Sequence, residues 1–179
     1  MDILNQVKTN LDSNNSLTED VKAQVFELIA LFHKTFPEVS LDTLVERIKD
    51  LKVGKLSLYE RRGPVVYDPL NNEILLNRRS LDDDYDVNHL MMKGLLGCIT
   101  AKDNFFGFNK NDSLYALNMG VTEMLANTLV GNDGKCDFEE ELIATNIISK
   151  IIGRDLLFDA YFNNDAEIVY KKLLEAEGN

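Results

Sequence analysis

The sequence predicts an α+β fold in which helices dominate and a small sheet interrupts them. Three observations lead there. Apolar residues recur at helical spacing over the first fifty residues and again from residue 87 onward. Between these blocks, short apolar runs alternate with polar residues and are broken by Gly, Pro and Asn. The apolar fraction is 45% against 27% charged residues, which suits a chain that builds a packed core. At 179 residues, one domain of moderate size is expected.

In chain order, Ile3, Leu4, Val7 and Leu11 mark a short first helix. Ser16-Leu17-Thr18-Glu19 matches a capping box, in which a hydroxyl and a carboxylate satisfy free amides at a helix start. The helix it opens carries Val21, Val25, Leu28, Ile29, Phe32 and Phe36 on one face, and Pro37 ends it. Ser40 caps a third helix with Leu41, Leu44, Val45, Ile48 and Leu51. Residues 1–52 thus form a helical segment, read as part of the same domain as residues 53–179. Strands are expected around Leu56 and Leu58, at Val65-Val66-Tyr67 and at Glu73–Asn77. Their short connections predict a mostly antiparallel sheet over residues 55–77, packed on the helix of residues 87–101. The acidic run at residues 82–86 precedes that helix, where carboxylates favour the positive end. Residues 101–112, with Gly107-Phe108, read as a loop over the surface. Further helices follow from Leu114, Phe138, Leu156 and Ile168, with fraying after Leu174.

A net charge of −11 makes nucleic-acid backbones and anionic membrane surfaces poor partners, and its simplest meaning is solubility. Cys98 and Cys136 have no metal-ligand spacing and read as free thiols of a reducing compartment. The first residues, Met1-Asp2-Ile3-Leu4-Asn5, show no basic region followed by an apolar run, so no signal peptide is expected. No apolar run approaches the length of a membrane span. A cytoplasmic location is the expectation.

The chemistry-bearing stretches are Lys93-Gly94-Leu95-Leu96-Gly97-Cys98-Ile99-Thr100 and Ala116-Leu117-Asn118-Met119-Gly120-Val121-Thr122-Glu123. Together with Leu156–Phe162 they resemble a family of small bacterial zincin-like metallopeptidase domains, over a span from about Tyr67 to Leu173. In that family, one helix carries H-E-x-x-H and a later one carries a segment like A-L-N-E-G-L-T-E. Two His one turn apart hold zinc, the Glu between them polarises the bound water, and a Glu on the later helix is the third ligand. On that resemblance Lys93 and Gly97 stand at the His positions, Gly94 at the base and Met119 at the third ligand. All four lack the chemistry: glycine offers no ligand, a thioether is a poor zinc ligand, and an ammonium repels a metal. Each glycine also costs about 1 kcal/mol in a helix interior relative to alanine.

The resemblance therefore implies a catalytically inactive domain with no metal and no cofactor. It would bind a protein or peptide through a remnant cleft containing Lys93, Gly94, Gly97 and Met119, with His89, Asn118, Thr122 and Glu123 as further cleft residues. Two alternatives stand beside it. One is an enzyme with a non-standard site around His89, Lys93 and Glu123, including a displaced metal site that adds Asp86 or Asp103. Against this, His89 reads as an ordinary helix-start residue and Glu123 as a helix-face carboxylate, although Lys93 pairing with Glu123 is a specific possibility. The other alternative is an acidic inhibitor-type protein that captures a basic partner. His33 reads as a surface residue. Residues 132–140 suggest a calcium loop only in outline, since half the oxygen ligands are missing, and a turn before an acidic helix start explains them as well. Oligomeric state is not legible.

Overall fold

The computed structural model describes residues 2–56, 63–77, 85–110, 114–136 and 138–178. The centre of the fold is the helix Val87–Ile99, labelled α4 after α1 (Ile3–Ser13), α2 (Glu19–Thr35) and α3 (Asp42–Arg47). Every residue from His89 to Ala101 is buried, so α4 is covered on all sides. One side faces the sheet, another faces α2 and α3, and a third faces α5 (Tyr115–Val130). Beyond α5 lie α6 (Glu139–Ile152), α7 (Arg154–Phe162) and α8 (Ala166–Glu177). The N-terminal helices and the turn after α3 supply Val7, Val25, Ile29, Phe32, Leu44 and Ile48 to the same apolar core that holds Leu95, Val121 and Tyr161.

The sheet differs from the expected mostly antiparallel one. Strands β1 (Lys52–Leu56), β2 (Val65–Asp68) and β3 (Glu73–Asn77) lie in the order β1-β3-β2. β2 and β3 are antiparallel, with Tyr67 opposite Ile74, while β1 and β3 are parallel, with Gly54 opposite Leu75. Connection length explains the difference. The tight turn at residues 69–72 forces β2 onto β3, whereas the longer link of residues 57–64 leaves room for β3 to enter between β1 and β2. Asn72 holds the turn in place: it has a left-handed φ of 52°, accepts from the Tyr67 hydroxyl (2.9 Å) and donates to the Arg47 carbonyl (2.7 Å). The part of the first strand expected at residues 57–59 and the acidic residues 82–84 lie outside the described residues.

Other boundaries shift in readable ways. The cap of α2 is Thr18, whose hydroxyl accepts from Val21 N–H, and not Ser16. Ser40 accepts from Asp42 N–H (3.1 Å), but the N-cap of α3 is Leu41, not Ser40; α3 stops at Arg47, and Ile48 and Leu51 reach the core from the turn beyond. α8 continues past Leu174 to Glu177. Residues 132–135 form a turn in which Asn132 Oδ1 accepts from Gly134 N–H (2.9 Å). The segment expected to loop over the surface does so at residues 102–104, which are exposed, but it is anchored inside at residues 106–108: Phe108 is 1% exposed and meets Tyr161 edge-on at 5.5 Å between ring centroids. Its backbone is tied by Thr100 Oγ1, Asn118 Oδ1 and Asn164 Nδ2, so its polar groups can be buried at little loss.

Candidate functional site

Asp86 caps α4, its carboxylate accepting from the amides of Asn88 (2.9 Å) and His89 (3.3 Å). This use makes Asp86 a capping residue and not a ligand. The helix it starts carries His89 and Lys93 one turn apart, so both side chains point the same way. They meet Glu123, which α5 presents from the facing side. His89 Nε2 lies 2.8 Å from Glu123 Oε1, and Lys93 Nζ donates to Glu123 Oε2 at 2.5 Å. All three residues are no more than 5% exposed. The pairing of Lys93 with Glu123 that the sequence allowed is thus present, while His89 and Glu123 are neither an ordinary helix-start residue nor an ordinary helix-face carboxylate.

The other nitrogen of His89, Nδ1, lies 2.7 Å from the Gly131 carbonyl oxygen. That carbonyl is turned toward it where α5 ends, at Gly131 with φ 73°. Both ring nitrogens therefore face oxygen atoms, and the ring donates to both only as an imidazolium. Lys93 Nζ also sits 4.8 Å from the centroid of the Phe138 ring. Burial alone would raise the Glu123 carboxyl, but the His89 hydrogen bond and the Lys93 charge outweigh it and hold the group down at about 2. Cys136, missed in the sequence, lies beside the same carboxylate. Burial and the Glu123 charge push its thiol up, which favours the neutral form. Only its position after the turn could have pointed to it.

Next to this cluster is a cavity of about 600 Å³. Its walls are β2 with Pro69 and Leu70, the segment around Phe105 and Phe106, and Lys93, Gly94, Met119 and Thr122 from α4 and α5. Three of the four remnant positions, Lys93, Gly94 and Met119, are thus brought to one cavity. Gly97 is not. A Cβ there would lie 2.7 Å from Tyr67 Cβ, and one at Gly94 would lie 2.6 Å from Ile74 Cγ2. The two glycines let α4 approach β2 and β3 closely, so packing accounts for them without reference to a lost ligand.

Asn118 and Thr122 serve the framework. Asn118 Oδ1 accepts from Phe108 N–H (2.8 Å), and Thr122 Oγ1 bonds the Asn118 carbonyl (2.7 Å) and the Tyr161 hydroxyl (2.8 Å). Burial pushes the Tyr161 hydroxyl up to about 12 against the hydrogen bonds from Thr122 and Thr100. Asp103 is an exposed turn residue with φ 53°, and it does not join the cluster. His33, read as a surface residue, is half-buried on α2, with its buried Nδ1 unpartnered among the described residues.

The donor set does not fit zinc. An ammonium occupies the space a second imidazole would need, and both Glu123 oxygens are already engaged. Among the described residues no three His, Cys, Asp or Glu side chains are grouped to hold a metal ion. No described helix is long and apolar enough to cross a membrane. Comparison with protein-family models, with curated proteins and with solved structures finds no match.

Proposed function

We propose that this chain is a catalytically inactive zincin-like domain that binds a protein or peptide in the cavity beside β2. The observation that carries the reading is the convergence of His89 and Lys93, one turn apart on α4, onto Glu123 of α5. Two side chains at this spacing and one carboxylate from a facing helix are the arrangement of a His-His-Glu zinc site. Here the register is one turn earlier on α4 and one turn later on α5 than the positions the resemblance assigns. In it, Lys93 replaces the second imidazole and its ammonium supplies the positive charge that a metal would bring. A carboxyl held at about 2 is a weak base at neutral pH, which speaks against a proton-transfer role for Glu123. The cavity wall suits an extended chain: among the described residues β2 is an edge strand, and an edge offers backbone groups to a peptide that adds alongside.

Zinc titration tests the first half. The natural protein is expected to take up no stoichiometric zinc, and Lys93→His is expected to gain zinc affinity because it supplies the second imidazole beside His89. Zinc bound by the natural protein and lost in Glu123→Gln would sink the pseudoenzyme reading. A well-folded Lys93→His variant with no gain would count against the zincin relationship. For the second half, a captured peptide is expected to protect the Val65–Asp68 amides from hydrogen exchange. Salt-sensitive capture of a basic protein that leaves those amides unprotected would favour the acidic-inhibitor alternative.

A further inference from the structure

Helix α6 is apolar on two opposite sides. Its inner side buries Thr145 and packs Leu142, Ile148 and Ile152 on the core. Its outer side carries Ile143, Ile147 and Ile151, which are 55%, 55% and 51% exposed. Their spacing of four places them on a single ridge, the kind of row that packs into the groove of another helix. A solvent-facing helix needs no such row, and three isoleucines in line form a contiguous exposed apolar strip rather than scattered surface residues.

We infer that this strip is an interface between two copies of the chain, formed by antiparallel pairing of α6 across a twofold axis at Ile147. Two features select a second copy in this orientation. The row is symmetric about Ile147, so an antiparallel partner places Ile143 against Ile151 of the other copy and Ile147 against itself, as an isologous contact requires. The charges along the helix are complementary in the same sense. The first turn holds Glu139, Glu140 and Glu141, and the last turn holds Lys150. Antiparallel pairing keeps the two acidic first turns at opposite ends of the pair and brings Lys150 toward the partner's acidic end. Parallel pairing sets acid against acid and base against base. The antiparallel arrangement also opposes the two helix dipoles. The net charge of −11 on each copy works against association, so the isoleucines supply the attraction and the end charges fix the direction.

Light scattering after size exclusion, over a range of protein concentrations, is expected to show a dimer that dissociates on dilution. Ile147→Asp is expected to be monomeric throughout, and at a dilution where the natural protein is also monomeric its thermal melt is expected to match, because the position faces solvent in the single copy. Orientation is read by disulfide trapping under mild oxidation in a Cys136→Ser background. Ile147→Cys is expected to cross-link with itself. Ile143→Cys is expected to cross-link only when mixed with Ile151→Cys. A natural protein that is monomeric at every concentration, a dimer that survives Ile147→Asp, or self-cross-linking of Ile143→Cys would each overturn the inference.

Discussion

Glu123 is held by His89 and Lys93 from a single helix, and its ionisation is therefore tied to folding. Its carboxyl lies near 4.5 in an unfolded chain and at about 2 in the folded one. A depressed carboxyl stabilises the fold above the unfolded value, and that stabilisation is lost as pH falls through the folded value. Stability is expected to decline between about pH 4.5 and pH 2, by on the order of 3 kcal/mol from this group alone. Urea unfolding across that range measures it. Glu123→Gln is expected to flatten this part of the profile. It should also lower stability at neutral pH by about 3–5 kcal/mol, since it leaves Lys93 buried without its counter-charge. A natural profile flat from pH 5 to pH 2 would show that the two contacts do not hold the ionised form. At this scale the sequence was half legible. The i, i+4 spacing of His89 and Lys93 was visible, and so was a Lys93–Glu123 pair. The approach of Cys136 and the Gly131 carbonyl was not, because both depend on where α5 ends in space.

Helix α4 shows how one element can read correctly while its glycines admit a second explanation. Its apolar stripe and its capping acid are evident from the residues, and the helix is where they place it. Its glycines pointed to missing chemistry, yet they stand where α4 lies against Tyr67 and Ile74. A sequence does not distinguish a helix glycine that replaced a ligand from one that admits a neighbour, since the neighbour is tens of residues away. The difference has a sign that can be measured. Gly97→Ala would gain about 1 kcal/mol from helix propensity at an open site. Here the added methyl meets the Tyr67 side chain, and overpacking of this kind costs roughly 1–3 kcal/mol. A net loss of stability is expected, read as a lower melting temperature, and a rise would show that α4 is free to shift away from β2. The sheet erred for a related reason: alternation identifies strands, but the insertion of β3 between β1 and β2 follows from loop lengths and from the hold of Asn72 on Arg47 and Tyr67.

For the whole molecule, the question is whether residues 53–179 stand alone. Sequence reading divided the chain at residue 52 because the periodicity changes there, which is a statement about local structure and carries no information on burial. In the structure, α2 and α3 lie on α4, and Phe32 sits against Phe162 of α7 at 5.5 Å, ring edge to face. Phe36 closes the same group, 5.9 Å from Phe158 and 5.3 Å from Phe162. Polar ties run across the division too: Arg47 donates to the Pro69 carbonyl (2.9 Å) and to the Tyr67 hydroxyl (3.1 Å). Removing residues 1–52 would uncover the apolar side of α4 together with Phe158 and Phe162, and would take the first residue of β1 with it. Each large apolar side chain left in water forfeits roughly 1.5–3 kcal/mol. The loss of Val25, Ile29, Phe32, Leu44 and Ile48 as partners, roughly 8–15 kcal/mol on this scale, is thus comparable to the 5–15 kcal/mol by which domains are stable. A fragment of residues 53–179 is expected to lack a cooperative unfolding transition and to bind a hydrophobic dye, whereas the full chain unfolds in one step. Cooperative unfolding of the fragment would show that the N-terminal helices are an accessory to the core rather than one of its walls.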